Sequence, residues 1–348
     1  MKSVSQHLVV EFSQAARERA IFVFVLSVAL SIMVVASLLT GPAALSPMDA
    51  YKGLILGEGD AAVIMQEIRL PRLILSVAVG GALGLCGAAA QSLTRNPLAD
   101  PAIFGAPQAA AMGAVAMLYF GYADPSSISL MAAAVGGATA CLAIVLILVR
   151  QRYSIISVLL AGVAIGSLCS AGVSMALSLS PNPFAMAEIV FWLMGSFADR
   201  SFAHVLLSLP LIVAGCVILI TCGKAFRALS LGEDTAFSLG FNPGWTTACT
   251  AIALSMIIGA STAVSGAIGF VGLIAPHIAR PFCSGDPRAI LVPSLLCGAI
   301  LTTGADVVVR TIPSTNEIPV GVVTALLGAP FFLYLVTFRR AMFGSIQS

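Results

Sequence analysis

Apolar stretches of about 20 residues recur along the whole chain, and this repetition limits the possible folds more than any other feature. That is the length an α-helix needs to cross a hydrocarbon core about 30 Å thick. Inside lipid, every backbone N–H and C=O must be satisfied without water, so a spanning stretch is helical unless strands close into a barrel. The alternating ten-residue patterns and long polar loops of an outer-membrane barrel do not occur. Charge agrees, since 9% of the 348 residues are charged, against roughly 25% in soluble domains. The expectation is an all-α, polytopic membrane protein whose residues 1–348 form a single transmembrane domain.

Ten spans fit the pattern: 20–40, 73–93, 102–120, 128–149, 154–178, 202–222, 244–264, 267–282, 289–309 and 318–338. The eighth is short and flanked by Gly-rich turns. The first reads as a retained helix, because Glu11 and Glu18 accompany Lys2, Arg17 and Arg19 before it and no A-x-A-like cleavage site follows. An even number of spans puts both termini on one side. With both in the cytoplasm, only Lys52, Arg69, Arg72, Arg200 and Arg310 of the 17 Lys and Arg residues lie outside, as the positive-inside rule requires. Acids lean outward: Asp49, Glu58, Asp60, Glu67, Asp124, Glu188, Asp199 and Glu317.

Several function classes are disfavoured. An ion-coupled carrier usually needs carboxylates at mid-membrane depth. The best candidate, Asp306, sits near the outer end of the ninth span, four residues before Arg310, and reads as half of an i,i+4 ion pair. An intramembrane enzyme would need a His/Glu or Ser/His pair at mid-depth. His7, His204 and His277 all fall near interfaces, and neither H-E-x-x-H nor G-x-S-x-G occurs. No G-x-x-x-x-G-K-[ST] is present, and Gly223-Lys224-Ala225 lacks the first glycine and the hydroxyl residue. Cys86, Cys141, Cys169, Cys216, Cys222, Cys249, Cys283 and Cys297 contain no CxxC and read as small apolar helix residues. No metal site or cofactor is expected in this chain.

Four segments carry polar or special residues at fixed places. Arg69-Leu70-Pro71-Arg72 opens the second span, with Pro71 suited to a first helical turn. Its arginines either snorkel to lipid headgroups or meet an acidic partner. Between spans two and three, the segment from Gln91 to Pro101 contains Asn96-Pro97-Leu98-Ala99-Asp100-Pro101, a rigid cytoplasmic turn. In the cytoplasmic loop at about 228–241, Gly232 and Gly240 bracket a short helix with Glu233 and Asp234 in its first turn, where the helix dipole favours acids. Ala236, Phe237 and Leu239 give that helix an apolar face. Lipid-surface helices are normally basic, so two acids point to a protein partner. Finally, Ser265-Gly266-Ala267-Ile268-Gly269-Phe270 leads into Val271-Gly272-Leu273-Ile274-Ala275-Pro276-His277-Ile278-Ala279-Arg280, where His277 reads as a structural hydrogen-bonder.

Together these segments resemble the FecCD-type permeases of the iron-siderophore, haem and vitamin B12 ABC importers. The family shows Arg-x-Pro-Arg, Asn-Pro-Leu-Ala-Asp/Glu-Pro, a Leu-Gly-Glu/Asp loop, Gly-x-Ile-x-Phe-x-Gly-Leu-x-x-Pro-His-x-x-Arg, and a final Pro-x-Gly-Val-Val-Thr-Ala-x-x-Gly-Ala-Pro. The last appears here as Pro319 to Pro330. The resemblance implies ten helices per subunit in the bacterial inner membrane, with a second permease copy, identical or paralogous, around a central pathway. It also implies two cytoplasmic ABC ATPase subunits, an external binding protein, surrounding membrane lipid and no nucleic acid. Carried over by position, Arg69, Arg72 and Arg310 would meet acids on the binding protein. Ser230, Leu231, Gly232, Glu233, Asp234, Ala236, Leu239 and Gly240 would couple to the ATPase. Phe191, Trp192 and Gly195 would lie at the pathway mouth, and Asn96, Pro97, Pro101, Gly269, Pro276 and His277 would be motif residues of the scaffold. The cargo implied is a chelate, siderophore-iron first, then haem or cobalamin. One departure stands out: the family's Gly-Val-Ser/Asn-x-Gly-Ala at the third helix reads Gly105-Ala106-Pro107-Gln108-Ala109-Ala110. A proline in its first turn predicts a different start for that helix.

Overall fold

The computed structural model describes residues 2–57, 59–122, 127–149, 155–180, 183–313 and 317–338. Glu58, Asp124, Arg150, Arg152, Arg339 and Arg340 of the charge count above lie outside these residues. All regular structure among the described residues is helical. The chain runs through α1 (Lys2–Leu39), α2 (Pro47–Tyr51), α3 (Asp60–Ala62), α4 (Leu70–Thr94), α5 (Ala106–Tyr119), α6 (Ile128–Val149), α7 (Ile155–Ser178) and α8 (Pro183–Leu193). It continues with α9 (Phe202–Thr221), α10 (Gly223–Leu229), α11 (Glu233–Ser238), α12 (Pro243–Ser265), α13 (Val271–Ala279), α14 (Leu291–Thr311) and α15 (Val320–Phe338).

Each of the ten expected spans contains a helix. Among the described residues, seven helical stretches are long and apolar enough to cross a bilayer: Ala16–Leu39, Asp60–Thr94, Ile128–Ile147, Ser157–Ser178, Phe202–Thr221, Pro243–Ser265 and Leu291–Thr311. The others are shorter. α13 has nine residues, about 14 Å of helix, because Phe270 ahead of it adopts a left-handed conformation (φ 66°) that no helix continues through. α5 starts at Ala106 rather than at 102 because Asp100 caps a 3₁₀ turn over Pro101–Phe104 and Gly105 then turns at φ 75°. Pro107 falls in the first turn of α5, where a missing N–H leaves no bond unmade. α1 begins well before the apolar run does, at Lys2.

Small residues set how closely the helices approach. α4 packs along α14, and α13 fits against both. A Cβ built on Gly87 of α4 would lie 1.7 Å from the carbonyl oxygen of Gly272 on α13, and one on Gly298 of α14 would lie 2.2 Å from that of Gly80. Backbones this close leave no room for even a methyl group, which is the role small residues play between membrane helices. A second contact set joins α12 to α6 and α9, and α5 to α6 and α7. Few residues of α7 are buried, and Leu160, Leu168 and Met175 face outward.

Candidate functional site

The salt bridges among the described residues lie at the two ends of the bundle. At the end where α4 begins, expected to face outward, five charged side chains come together from three parts of the chain. Arg72 donates from Nε (2.9 Å) and Nη2 (2.7 Å) to Asp306 Oδ1, and from Nη1 to the Glu317 carboxylate at 2.9 Å. Arg310 holds the other Asp306 oxygen at 2.9 Å, so the i,i+4 pair expected from the sequence forms, within a larger network. Asp306 is fully buried, and a buried carboxylate needs such partners.

The remaining donors of these arginines close the end of α1. Arg310 Nη1 donates to the carbonyls of Ser37 and Thr40, both at 2.9 Å, while Arg69 donates to those of Leu38 (2.6 Å) and Ala43 (2.5 Å). The last carbonyls of a helix have no intrahelical partner, and two guanidinium groups supply one here. The guanidinium groups of Arg69, Arg72 and Arg310, expected to meet acids on a binding protein, are thus engaged by partners inside this chain. Arg69 and Arg72 are 4% and 8% exposed, and the Arg310 side chain is 2% exposed. They turn inward because Asp306 and the end of α1 lack other partners.

Near the same end, three backbone segments meet at glycines. Ser196 N–H donates to the Ser265 carbonyl (2.8 Å) and Gly321 N–H to the Gly195 carbonyl (3.2 Å). Gly195 sits at φ 80° and Gly266 at φ 67°, and a Cβ on Gly266 would fall 2.0 Å from the Trp192 carbonyl oxygen. Of the three residues expected at a pathway mouth, Phe191 is exposed, whereas Trp192 is buried in the core and Gly195 is backbone junction. Gly269 lies in the turn before α13 with open space around it.

At the opposite end, Asn96 Oδ1 accepts from Leu98 N–H (2.9 Å) and Asp100 Oδ1 from Ala102 N–H (2.7 Å), which fixes the loop carrying Pro97 and Pro101. Arg280 Nη2 donates to Gln91 Oε1 at 2.6 Å, tying the end of α13 to α4. Pro276 is buried within α13, and the His277 ring meets the edge of Phe331 at 5.8 Å. α11 starts after Gly232 (φ 113°) and is followed by Gly240 (φ 87°), the two brackets the sequence marks. Its apolar residues divide between two faces: Ala236 is buried, while Phe237 and Leu239 are exposed, as is Leu231 before it. Ser230 Oγ donates back to the Arg227 carbonyl at 2.7 Å, and Arg227 pairs with Asp286. Asp234 points to solvent, and Glu233 lies 3.5 Å from Arg95. Beside α11 a cavity of about 530 Å³ opens between Phe104, Val158, Glu233 and Trp245.

Among the described residues no group of three or more His, Cys, Asp or Glu side chains is placed to hold a metal ion, and the eight cysteines are unpaired. What sequence reasoning missed is the joining of Arg72 to Asp306 across 234 residues and to Glu317 across 245. Only the Asp306–Arg310 half carries a local signal.

The sequence model of the FecCD transport family matches residues 29–338. The uncharacterized ABC transporter permease protein YvrB of Bacillus subtilis is 39% identical over 278 residues, 78% of each chain. The vitamin B12 import system permease protein BtuC of Citrobacter koseri is 35% identical over 316 residues, 90% of this chain and 93% of its own. A solved structure of an ABC transporter assigned to the metal-chelate type, in an inward-facing conformation, superposes with a TM-score of 0.81 at 30% identity, covering 90% of this chain and 98% of its own.

Proposed function

This chain belongs to the FecCD transport family, and from that premise we propose that it forms the pathway through which an ABC importer carries an iron chelate into a bacterium. It is a multi-pass permease subunit. The finer reading is ten membrane crossings in the inner membrane with both termini in the cytoplasm, and a second permease copy completing the pathway. Two separate ATPase subunits supply the work, and an external binding protein delivers the cargo. The observation that carries it is α11, a helix held on the bundle by buried Ala236 but presenting Leu231, Phe237 and Leu239 to the exterior, as a partner-facing element does. Siderophore-iron is the first cargo, consistent with the metal-chelate neighbour. A corrinoid is the second, favoured by the BtuC relatives.

The outer corner supports docking in a revised form. Arg69, Arg72 and Arg310 outnumber Asp306 and Glu317, so the corner keeps a net positive charge although its guanidinium groups are committed inside. That local charge would favour an acidic residue of a binding protein seated on the corner, a contact that salt screens.

The test is reconstitution with the cognate ATPase and binding protein in proteoliposomes. ATP-dependent accumulation of a ferric siderophore is expected, and the permease alone should show background hydrolysis. Phe237→Glu and Leu239→Glu change exposed side chains, so the protein should still fold while ATPase co-purification and uptake drop, each by roughly tenfold or more for loss of a buried apolar anchor. Normal uptake together with normal co-purification in both variants would remove α11 from the coupling role. A wild-type protein that moves neither iron chelate nor corrinoid would remove the cargo reading.

A further inference from the structure

A cavity of about 220 Å³ lies between α4, the Asp100–Ala102 turn, the start of α5, α12 and the Gly266–Phe270 turn. A second, of about 340 Å³, lies against α7 beside Gly166, Ser167 and Ser170. Gln108 lines both. Its Oε1 is buried and has no hydrogen-bond partner among the described residues, and the same holds for Ser261 Oγ in the wall of the first cavity. Buried polar atoms are nearly always partnered, so two left open around adjoining space ask for a third party.

Ser261 makes the point by contrast with its own helix. Ser255 and Ser265 of α12 satisfy their hydroxyls by bonding back to the carbonyls of Ala251 (3.0 Å) and Ser261 (2.8 Å). This is the usual resort of a serine inside a helix. Ser261, 2% exposed, makes no such bond. Gln108 stands where Pro107 has already fixed the first turn of α5, so its side chain projects from a rigid base. Thr262 and Ser265 add further hydroxyl residues to the same wall.

We infer that Gln108 and Ser261 form a hydrogen-bonding subsite for an amide or hydroxyl group on the rim of the transported chelate. A carboxamide and a hydroxyl each donate and accept, as do the amide and hydroxyl they would meet. The 220 Å³ cavity admits a peripheral substituent but not a whole chelate. The subsite therefore reads the cargo's edge as it passes rather than enclosing it. This inference rests on the importer reading above.

The experiment measures uptake per ATP hydrolysed in proteoliposomes containing permease, ATPase and binding protein, with cobalamin and a ferric hydroxamate chelate as probes. For whichever probe the wild type imports, Gln108→Leu and Ser261→Ala should each lower that ratio roughly 3- to 10-fold, the range for one neutral hydrogen bond. Ser261→Thr, which keeps the hydroxyl, should stay within about twofold of wild type. If Gln108→Leu is not monodisperse in detergent, Ser261→Ala, the loss of one oxygen atom, decides the matter. Unchanged ratios in the variants beside an active wild type overturn the subsite and assign the cavity to water alone, with the importer reading intact. Equal defects in Ser261→Thr and Ser261→Ala overturn it too, because packing would then be the cause. A wild type that imports neither probe overturns the cargo reading and the subsite with it.

Discussion

Replacing Asp306 with alanine is expected to destabilise the protein by roughly 3–5 kcal/mol, the range for removing one partner of a buried ion pair. The carboxylate accepts from Arg72 at 2.7 and 2.9 Å and pairs with Arg310 at 2.9 Å while fully buried. Without it, two guanidinium groups remain side by side with Glu317 as their only carboxylate. Arg310 then loses the contact that orients it toward Ser37 and Thr40, so the end of α1 loosens with it. Against a typical folding stability of about 5–15 kcal/mol this is a large share. Thermal unfolding in detergent reads the loss, and Asp306→Asn, which keeps the shape without the charge, should fall between alanine and wild type. A midpoint for Asp306→Ala equal to that of the wild type would mean that the network contributes nothing.

Gly87→Ala sets two known effects against each other. In a helix interior alanine is favoured over glycine by roughly 1 kcal/mol, while overpacking a tight contact costs about 1–3 kcal/mol. The contact here is a carbonyl oxygen 1.7 Å from the new methyl carbon, and backbone cannot swing aside as a rotamer can. α13 must shift bodily, carrying the turn at Gly266–Phe270 with it. A net loss of roughly 2 kcal/mol is expected, together with loss of uptake. Gly136→Ala on α6 is the control: nothing lies within 4 Å of its added carbon, so it should be neutral or stabilising by up to about 1 kcal/mol. Equal gains in the two variants would show that α4 and α13 are not in close contact.

The helices were legible because lipid imposes one rule on every segment, and apolar length alone then marks where each helix lies. Their ends were less so. The short α13 depends on Phe270 at φ 66°, a conformation that no composition announces for an aromatic residue. The late start of α5 depends on Asp100 capping a turn that the proline pattern marked only as rigid. The bracketing of α11 by Gly232 and Gly240 could be read because glycine and acids at a first turn are local signals. The inward turn of Arg69, Arg72 and Arg310 could not. Whether an arginine faces solvent or a carboxylate depends on what the fold brings up to it, and Asp306 arrives from 234 residues away.

The closing of α1 by Arg310 has a consequence for synthesis. Ser37 and Thr40 precede their donor by 273 and 270 residues. At about 5–20 residues per second, the first helix waits in the bilayer for roughly 15–55 s before that donor emerges from the ribosome. Arg69, made some 30 residues after Leu38, reaches the helix end within seconds and can hold it in the interval. Arrest of translation between the two arginines should therefore yield a nascent chain whose first helix is anchored once, and only release of the final segments completes its attachment.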